Sequence, residues 1–268
     1  IVDGPSTVSR TPKSGHIEFK NVSVQFEEHT VLRDLSFEIE VGKTVALAGK
    51  TGAGKTTLLN LLPRLVDVSA GEVFIDGINA KDYQLESLRN LIGFVPQEAY
   101  LFSDSIQNNL KYGNDDADPQ EIDTALRVSR LSNDLEQLDG AIDTLIGERG
   151  ASLSGGQKQR AALARAILKD APILVLDDAL SHVDTHTEEE ILGELEQYMN
   201  GRTTLLVAHR TSTLRTADEI LMLQDGEITE KGSHSELVEK GGAYSELYRE
   251  QLLIEARAPD LDNIEIAD

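Results

Sequence analysis

Nine consecutive residues, Gly49-Lys50-Thr51-Gly52-Ala53-Gly54-Lys55-Thr56-Thr57, have the types and spacing of a loop that wraps phosphate. Glycines at 49, 52 and 54 let the backbone approach an anion closely, and the loop's N–H groups face it at the start of a helix. In such a loop Lys55 reaches the β- and γ-phosphates of a nucleoside triphosphate and the Thr56 hydroxyl ligates Mg2+. A Gly-rich connection can be only a turn. Here the motif is complete and stands between the apolar strand Thr44 to Ala48 and the helical stretch Lys55 to Leu62, the context it requires.

Two further stretches bear on the same chemistry. The apolar run Ile173 to Leu176 ends on Asp177 and Asp178, which puts a carboxylate at the carboxyl edge of a parallel sheet, where ligands collect. Alone, such an Asp would as readily cap the next helix; with Thr56 it becomes a water-mediated Mg2+ partner. Leu153-Ser154-Gly155-Gly156-Gln157 precedes the apolar helical run Ala161 to Leu168. Ser154 is placed as an N-cap and the glycines bare the backbone N–H groups, so this helix start is a second anion site. One chain seldom needs two such sites for one triphosphate.

The elements that must hold these residues follow from periodicity. His16 to Phe26 alternates apolar and polar residues, and Val31 to Val41 repeats the pattern, which predicts antiparallel strands joined at Glu27 to Thr30. A hairpin is expected around Gly71 to Ile78 and a strand at Leu91 to Val95, ending at Pro96-Gln97. From about 99 to 165 the pattern turns helical, with Asp118-Pro119 as a helix start and Glu121 to Leu131 as its helix. Core strands resume at Pro172 to Asp177, Thr203 to Ala208 and Glu219 to Leu223, and Ser235 to Ile254 reads as a last helical region. The fold class is therefore α/β, with antiparallel strands at the start and an inserted helical lobe. The phosphate loop resembles that of P-loop NTPases, which implies a P-loop NTPase (RecA-like) core with an antiparallel β subdomain and an inserted helical subdomain.

Composition sets the limits. With 268 residues and 40% hydrophobic content the chain can bury a full core, and no apolar run approaches the roughly 20 residues of a membrane helix. Cys is absent, which excludes disulfides, a thiol nucleophile and thiolate metal sites and suits a reducing cytoplasm. A net charge of −22 argues against a nucleic-acid partner, because phosphate backbones need a basic surface. Residues 1–15 carry Pro, Gly, Ser and Thr and read as a linker, residues 16–256 as the domain, and residues 257–268 as an acidic tail. The Met residues are Met199 and Met222, so Ile1 is not an initiator and the chain reads as part of something longer.

Leu153 to Gln157 is the signature sequence of the ATP-binding cassette (ABC) family, and from about Ile17 to Leu252 the chain resembles the nucleotide-binding domain of an ABC exporter. The resemblance implies ATP and Mg2+ as cofactors. It places Phe26, in place of the more usual Tyr, where an aromatic ring stacks on adenine, and Gln97 at the glutamine that senses Mg2+ and the membrane domain. Asp143 to Gly150 looks like the exporter loop that touches coupling helices. Ser181-His182-Val183-Asp184 stands where the family usually has Ser-Ala-Leu-Asp, and His209 matches the histidine that contacts the γ-phosphate. The implied partners are a second nucleotide-binding domain and the coupling helices of a transmembrane domain, at the cytoplasmic face of the cell membrane.

The family's catalytic base is a Glu directly after the strand-end Asp; this chain has Asp178 there. A base must come within about 2.6–3.2 Å of the proton it takes. Asp lacks one methylene, so its carboxylate falls short by roughly 1.5 Å, and a misplacement of about 1 Å can cost on the order of a hundredfold. Because composite sites in ABC dimers pair the phosphate loop of one subunit with the signature of the other, the expectation is an asymmetric heterodimer in which this chain holds the slow site. The alternatives are a regulatory ATP-binding module with negligible turnover, an active symmetric homodimer, and an ABC ATPase with no membrane partner.

Overall fold

The structure, a computed structural model, describes residues 1–4, 7, 14–147 and 153–255. Alternating apolar residues fold the N-terminal part into a four-stranded antiparallel sheet made of β1 (Ile17–Phe26), β2 (His29–Ile39), β4 (Ala70–Ile75) and β5 (Ile78–Asn79), in the order β2-β1-β4-β5. The connection between β1 and β2 is tighter than the sequence suggests, with β2 starting at His29, and Val41 lies beyond the strand, 48% exposed. The alternation slips between Phe19 and Val22 in the β1–β2 pairing. There Asn21 and Asp34 take left-handed φ angles of 48° and 47°, and the Asn21 amide donates to Asp34 at 2.9 Å. This bulge returns Val22 and Leu35 to the buried face.

Short, largely apolar strands build the second sheet, apart from a polar strand at one edge. Its order is β10-β9-β3-β8-β7-β6, from β10 (Glu227–Gly232), β9 (Glu219–Gln224), β3 (Thr44–Ala48), β8 (Thr203–Val207), β7 (Ile173–Asp177) and β6 (Ile92–Val95), parallel except at β10. Strands covered on both faces read as continuous apolar runs. Val45, Leu47, Val175, Leu205 and Val207 face one core, with α1 (Lys55–Leu61) and the antiparallel sheet. Ala46, Ala48, Leu174, Leu176 and Leu206 face the other core, with α6 (Gly155–Leu168) and α7 (Thr185–Met199).

The remaining helices are α2 (Leu85–Asn90), α3 (Ile106–Lys111), α4 (Pro119–Val128), α5 (Leu131–Leu135), α8 (Thr211–Leu214), α9 (His234–Lys240) and α10 (Ala243–Glu255). α3, α4 and α5 pack on α6 and form the helical part. Asp118 caps α4 in a reciprocal box with Glu121, and Pro119 opens the helix. The single helix expected over Glu121 to Leu131 is two, because Arg130 adopts φ 56° between α4 and α5. The last helical region is likewise split, at Gly241 with φ 68°. β10 was not expected: it is an edge strand of mostly exposed polar residues whose alternation carries almost no apolar signal.

Candidate functional site

Four neighbouring parallel strands, β3, β8, β7 and β6, end on the same edge of their sheet, and each delivers one predicted piece of chemistry. β3 runs into the loop from Gly49, β8 into Ala208 and His209, β7 into Asp177 and Asp178, and β6 into Pro96 and Gln97. The strand order therefore gathers residues more than a hundred positions apart. Thr51, Gly52, Gly54, Lys55, Thr56, Thr57, Gln97, Asp177, Asp178 and His209 line one cleft of about 250 Å³.

Gly49, Gly52 and Gly54 have φ angles of 152°, 85° and 101°. A Cβ on Gly49 would lie 2.3 Å from the Leu223 carbonyl oxygen, and one on Gly54 would lie 2.7 Å from Leu32 Cδ2. Gly52 meets nothing, so its side of the loop is open to a close-approaching anion. Lys55 is 7% exposed and donates to the carbonyls of Gly49 at 2.6 Å and Lys50 at 3.0 Å. Those bonds fix the ammonium at the centre of the loop and leave one of its three donors for a phosphate oxygen. Burial lowers the Lys55 pKa, opposed by the charges of Asp178 and Asp177. An incoming polyanion favours the charged form that burial disfavours.

The Thr56 hydroxyl donates to Asp177 Oδ1 at 3.2 Å. Asp177 is 2% exposed, and burial raises its pKa against the pull of the Thr56 hydrogen bond. Among the described residues no group of three or more His, Asp or Glu could cage a metal ion. The donor set suits Mg2+, a hard cation that takes few protein oxygens and completes its shell with water and substrate phosphates.

Asp178 bends sharply out of β7 at φ 50°, a left-handed conformation that Asp adopts more readily than most residues. Its N–H donates to the Val207 carbonyl at 3.0 Å, and its Oδ2 lies 3.8 Å from His209 Nε2. The segment carrying His209 is anchored by the next residue. Arg210 forms an ion pair with the buried Glu188 of α7 and donates to the Val183 carbonyl at 3.0 Å, while Thr213 donates to Glu188 at 3.1 Å.

The signature residues stand apart from this cleft. Ser154 caps α6, its hydroxyl accepting from the Gln157 N–H at 3.2 Å while Gln157 Oε1 accepts from the Ser154 N–H at 2.9 Å. Gly155 and Gly156 lie against His182. Asp184 caps α7 by accepting from the Thr187 N–H at 2.9 Å, and Phe26 closes β1 with 47% of its surface exposed. Neither lines the cleft. One chain thus assembles one half of the predicted machinery in a cleft and presents the other half elsewhere.

Sequence reasoning missed three contributors. Val31 lines the cleft from β2, Glu188 with Arg210 braces the histidine segment, and Gln159 links α6 to the loop after β7. Gln159 is 1% exposed, but it sits in the polar stretch Gln157 to Arg160 ahead of the apolar run, so the sequence carries no signal for it. Of the loop expected to touch coupling helices, Thr144 and Ile146 are tied by backbone hydrogen bonds to Ile106 and Asp104, whereas Glu148, Arg149 and Gly150 lie outside the described residues.

Comparison with known proteins agrees with this geometry. The model of the family described as "ABC transporter" matches residues 32–181. The ATP-dependent lipid A-core flippase of Hahella chejuensis is 48% identical over 240 residues, 88% of this chain and 41% of that protein. Its namesake from Alcanivorax borkumensis is 46% identical over 248 residues, 92% of this chain and 42% of that protein. The chain therefore spans less than half the length of these relatives. A solved structure of a bacterial Atm1-family ABC exporter with ATP bound superposes with a TM-score of 0.90 at 39% identity, over 94% of this chain and 44% of that one. With a phosphate loop, a strand-end carboxylate and a capped signature helix held in this fold, the chain belongs to the ABC transporter family and has the architecture of its nucleotide-binding domain.

Proposed function

We propose that this chain binds and hydrolyses ATP to power an ABC exporter, and that its own site turns over slowly because Asp178 stands in the position of the catalytic Glu. The observation that supports the first part is the convergence of Lys55, Thr56, Asp177, Asp178, His209 and Gln97 on one cleft at four adjacent strand ends. In this reading the Gly49 to Thr57 loop holds the triphosphate, Phe26 stacks on adenine, and Thr56, Gln97 and Asp177 hold Mg2+. Bound Mg2+ would neutralise charge developing on the phosphates. Asp178 and His209 act at the attacking water and the γ-phosphate.

The signature supports a composite site. Ser154, Gly155, Gly156 and Gln157 sit outside the chain's own cleft, so they serve the ATP of a second nucleotide-binding domain, with Asp184 at the same interface. A non-identical partner that carries Glu would give the pair one fast and one slow site. Phe102, whose ring meets those of Tyr100 and Tyr112, forms with them an aromatic cluster 40–58% exposed in the chain that follows Gln97, and this cluster supports a seat for coupling helices of the membrane domain. Among the described residues no helix is long and apolar enough to cross a membrane; in this reading the membrane-spanning helices are those of the transmembrane domain. Residues 1–15 would be the linker to it and residues 257–268 an acidic tail. The assembly would work at the cytoplasmic face of the cell membrane. The relatives named lipid A-core flippases support a lipid-like cargo.

Steady-state hydrolysis by this chain, alone and mixed with a Glu-bearing nucleotide-binding domain, tests the proposal. Slow turnover alone and stimulation in the mixture are expected. Fast turnover alone would identify an active symmetric homodimer. Absence of turnover in both, with ATP still bound, would identify a regulatory module.

A further inference from the structure

Gln159, on the signature helix α6, reaches the segment carrying Asp178 through both ends of its side-chain amide. It is 1% exposed. Its Nε2 donates to Ser181 Oγ at 2.9 Å and to the Asp178 carbonyl at 3.4 Å, and its Oε1 accepts from the His182 N–H at 2.8 Å. Both ends of the amide are committed to residues 178–182.

The same segment is pressed against the first turn of α6. A Cβ on Gly156 would lie 2.8 Å from the His182 carbonyl oxygen, and one on Gly155 would lie 3.4 Å from His182 Cβ. Gln159 follows these glycines by three and four residues and so sits one turn further along the same helix face. Asp178, at the other end of the segment, is fixed to β8 through the Val207 carbonyl and approaches His209. Steric contact and hydrogen bonds therefore make Asp178, the loop after it and the N-terminus of α6 one mechanical unit. An apolar side chain at 159 would keep the volume but leave the His182 N–H without its acceptor, a loss of register rather than of packing.

We propose that Gln159 is a positioning residue that couples the chain's two half-sites, so that ATP held by the phosphate loop changes how the Gly155 to Gln157 amides are presented to the partner's ATP. The inference rests on the composite-site reading above. Its action is through the loop, not on ATP.

Hydrogen exchange of the full chain, with and without Mg-ATP, tests it at the backbone amides of Gly155 to Gln157 and of His182, with a fluorescent ATP analogue reporting affinity. In the wild type ATP should change exchange at the signature amides at least threefold. Gln159→Leu should bind ATP within twofold of wild type and lose that change, while its His182 amide exchanges at least tenfold faster. Gln159→Glu, which can still accept from His182 and from the Ser181 hydroxyl, should restore at least half of the response. Should Gln159→Leu fail to fold, Ser181→Ala at an exposed position should reduce the response about twofold. A response that persists in Gln159→Leu, or ATP binding to the wild type with no response at the signature, overturns the coupling alone. Failure of the wild type to bind ATP overturns the functional reading beneath it.

Discussion

The phosphate-loop side and the signature side of this chain both lie at helix starts and are both proposed anion sites, yet they are built in opposite ways. The loop side is charged and buried: Lys55 and Asp177 are 7% and 2% exposed, and their pKa values are displaced by burial. The signature side keeps its charges paired: Ser154 and Gln157 cap each other, Gln157 also donates to Asp134 at 3.3 Å, Arg160 closes an ion pair on that carboxylate, and the glycines pack on His182. The first holds electrostatic work to be released on binding. The second has its nearby charges already paired and offers directed N–H groups, which suits a surface that completes a site on another molecule.

The contrast breaks most sharply under substitution. Lys55→Ala should weaken ATP binding at least about a hundredfold, since it removes the one cation fixed inside the loop, as measured by titration with a fluorescent ATP analogue. Gly156→Ala should leave that affinity within about twofold. It should instead lower stability by about 1–3 kcal/mol in thermal or urea melts, because a Cβ 2.8 Å from the His182 carbonyl forces backbone to move. Ser154→Ala should cost about 1 kcal/mol in the same melts through the lost cap, again with ATP affinity of the isolated chain unchanged.

The smallest expected effect is a pH dependence confined to the loop side. The folded pKa of Asp177 is raised, so its contribution favours the ligand-free fold at low pH and is lost as pH rises through that raised value. A divalent cation favours the carboxylate. Mg-ATP affinity should therefore climb severalfold as pH rises from the ordinary Asp range through the raised pKa, and Asp177→Asn should flatten the titration curve.

The two sides also differed in how far the sequence disclosed them. The phosphate loop and the signature were legible because their geometry is local: glycines, a lysine and a capping serine act within one strand-loop-helix or one helix turn. Asp177 and His209 were legible only as strand ends, and the strand order β3-β8-β7-β6 is what puts them in one cleft. Gln159 and the Glu188–Arg210 brace were not legible, since their partners are set by how α6, α7 and the loop after β7 pack. β10 was missed because an edge strand needs little apolar patterning, although Asp225-Gly226, both at positive φ, is a hairpin turn that could have announced it. The left-handed backbone at Asp178 was equally hidden. It adds a structural term to that position, because a longer side chain there loses the local fit that favours Asp.

Asp178 is where the account is most exposed. Single-turnover hydrolysis of Mg-ATP by wild type and by Asp178→Glu, at saturating enzyme and matched nucleotide occupancy, tests it directly. A slow wild type accelerated about ten- to a hundredfold by the substitution, with ATP affinity unchanged and stability lower by less than about 1 kcal/mol, is the predicted result. A wild type that already turns over rapidly and gains nothing from Glu would contradict it.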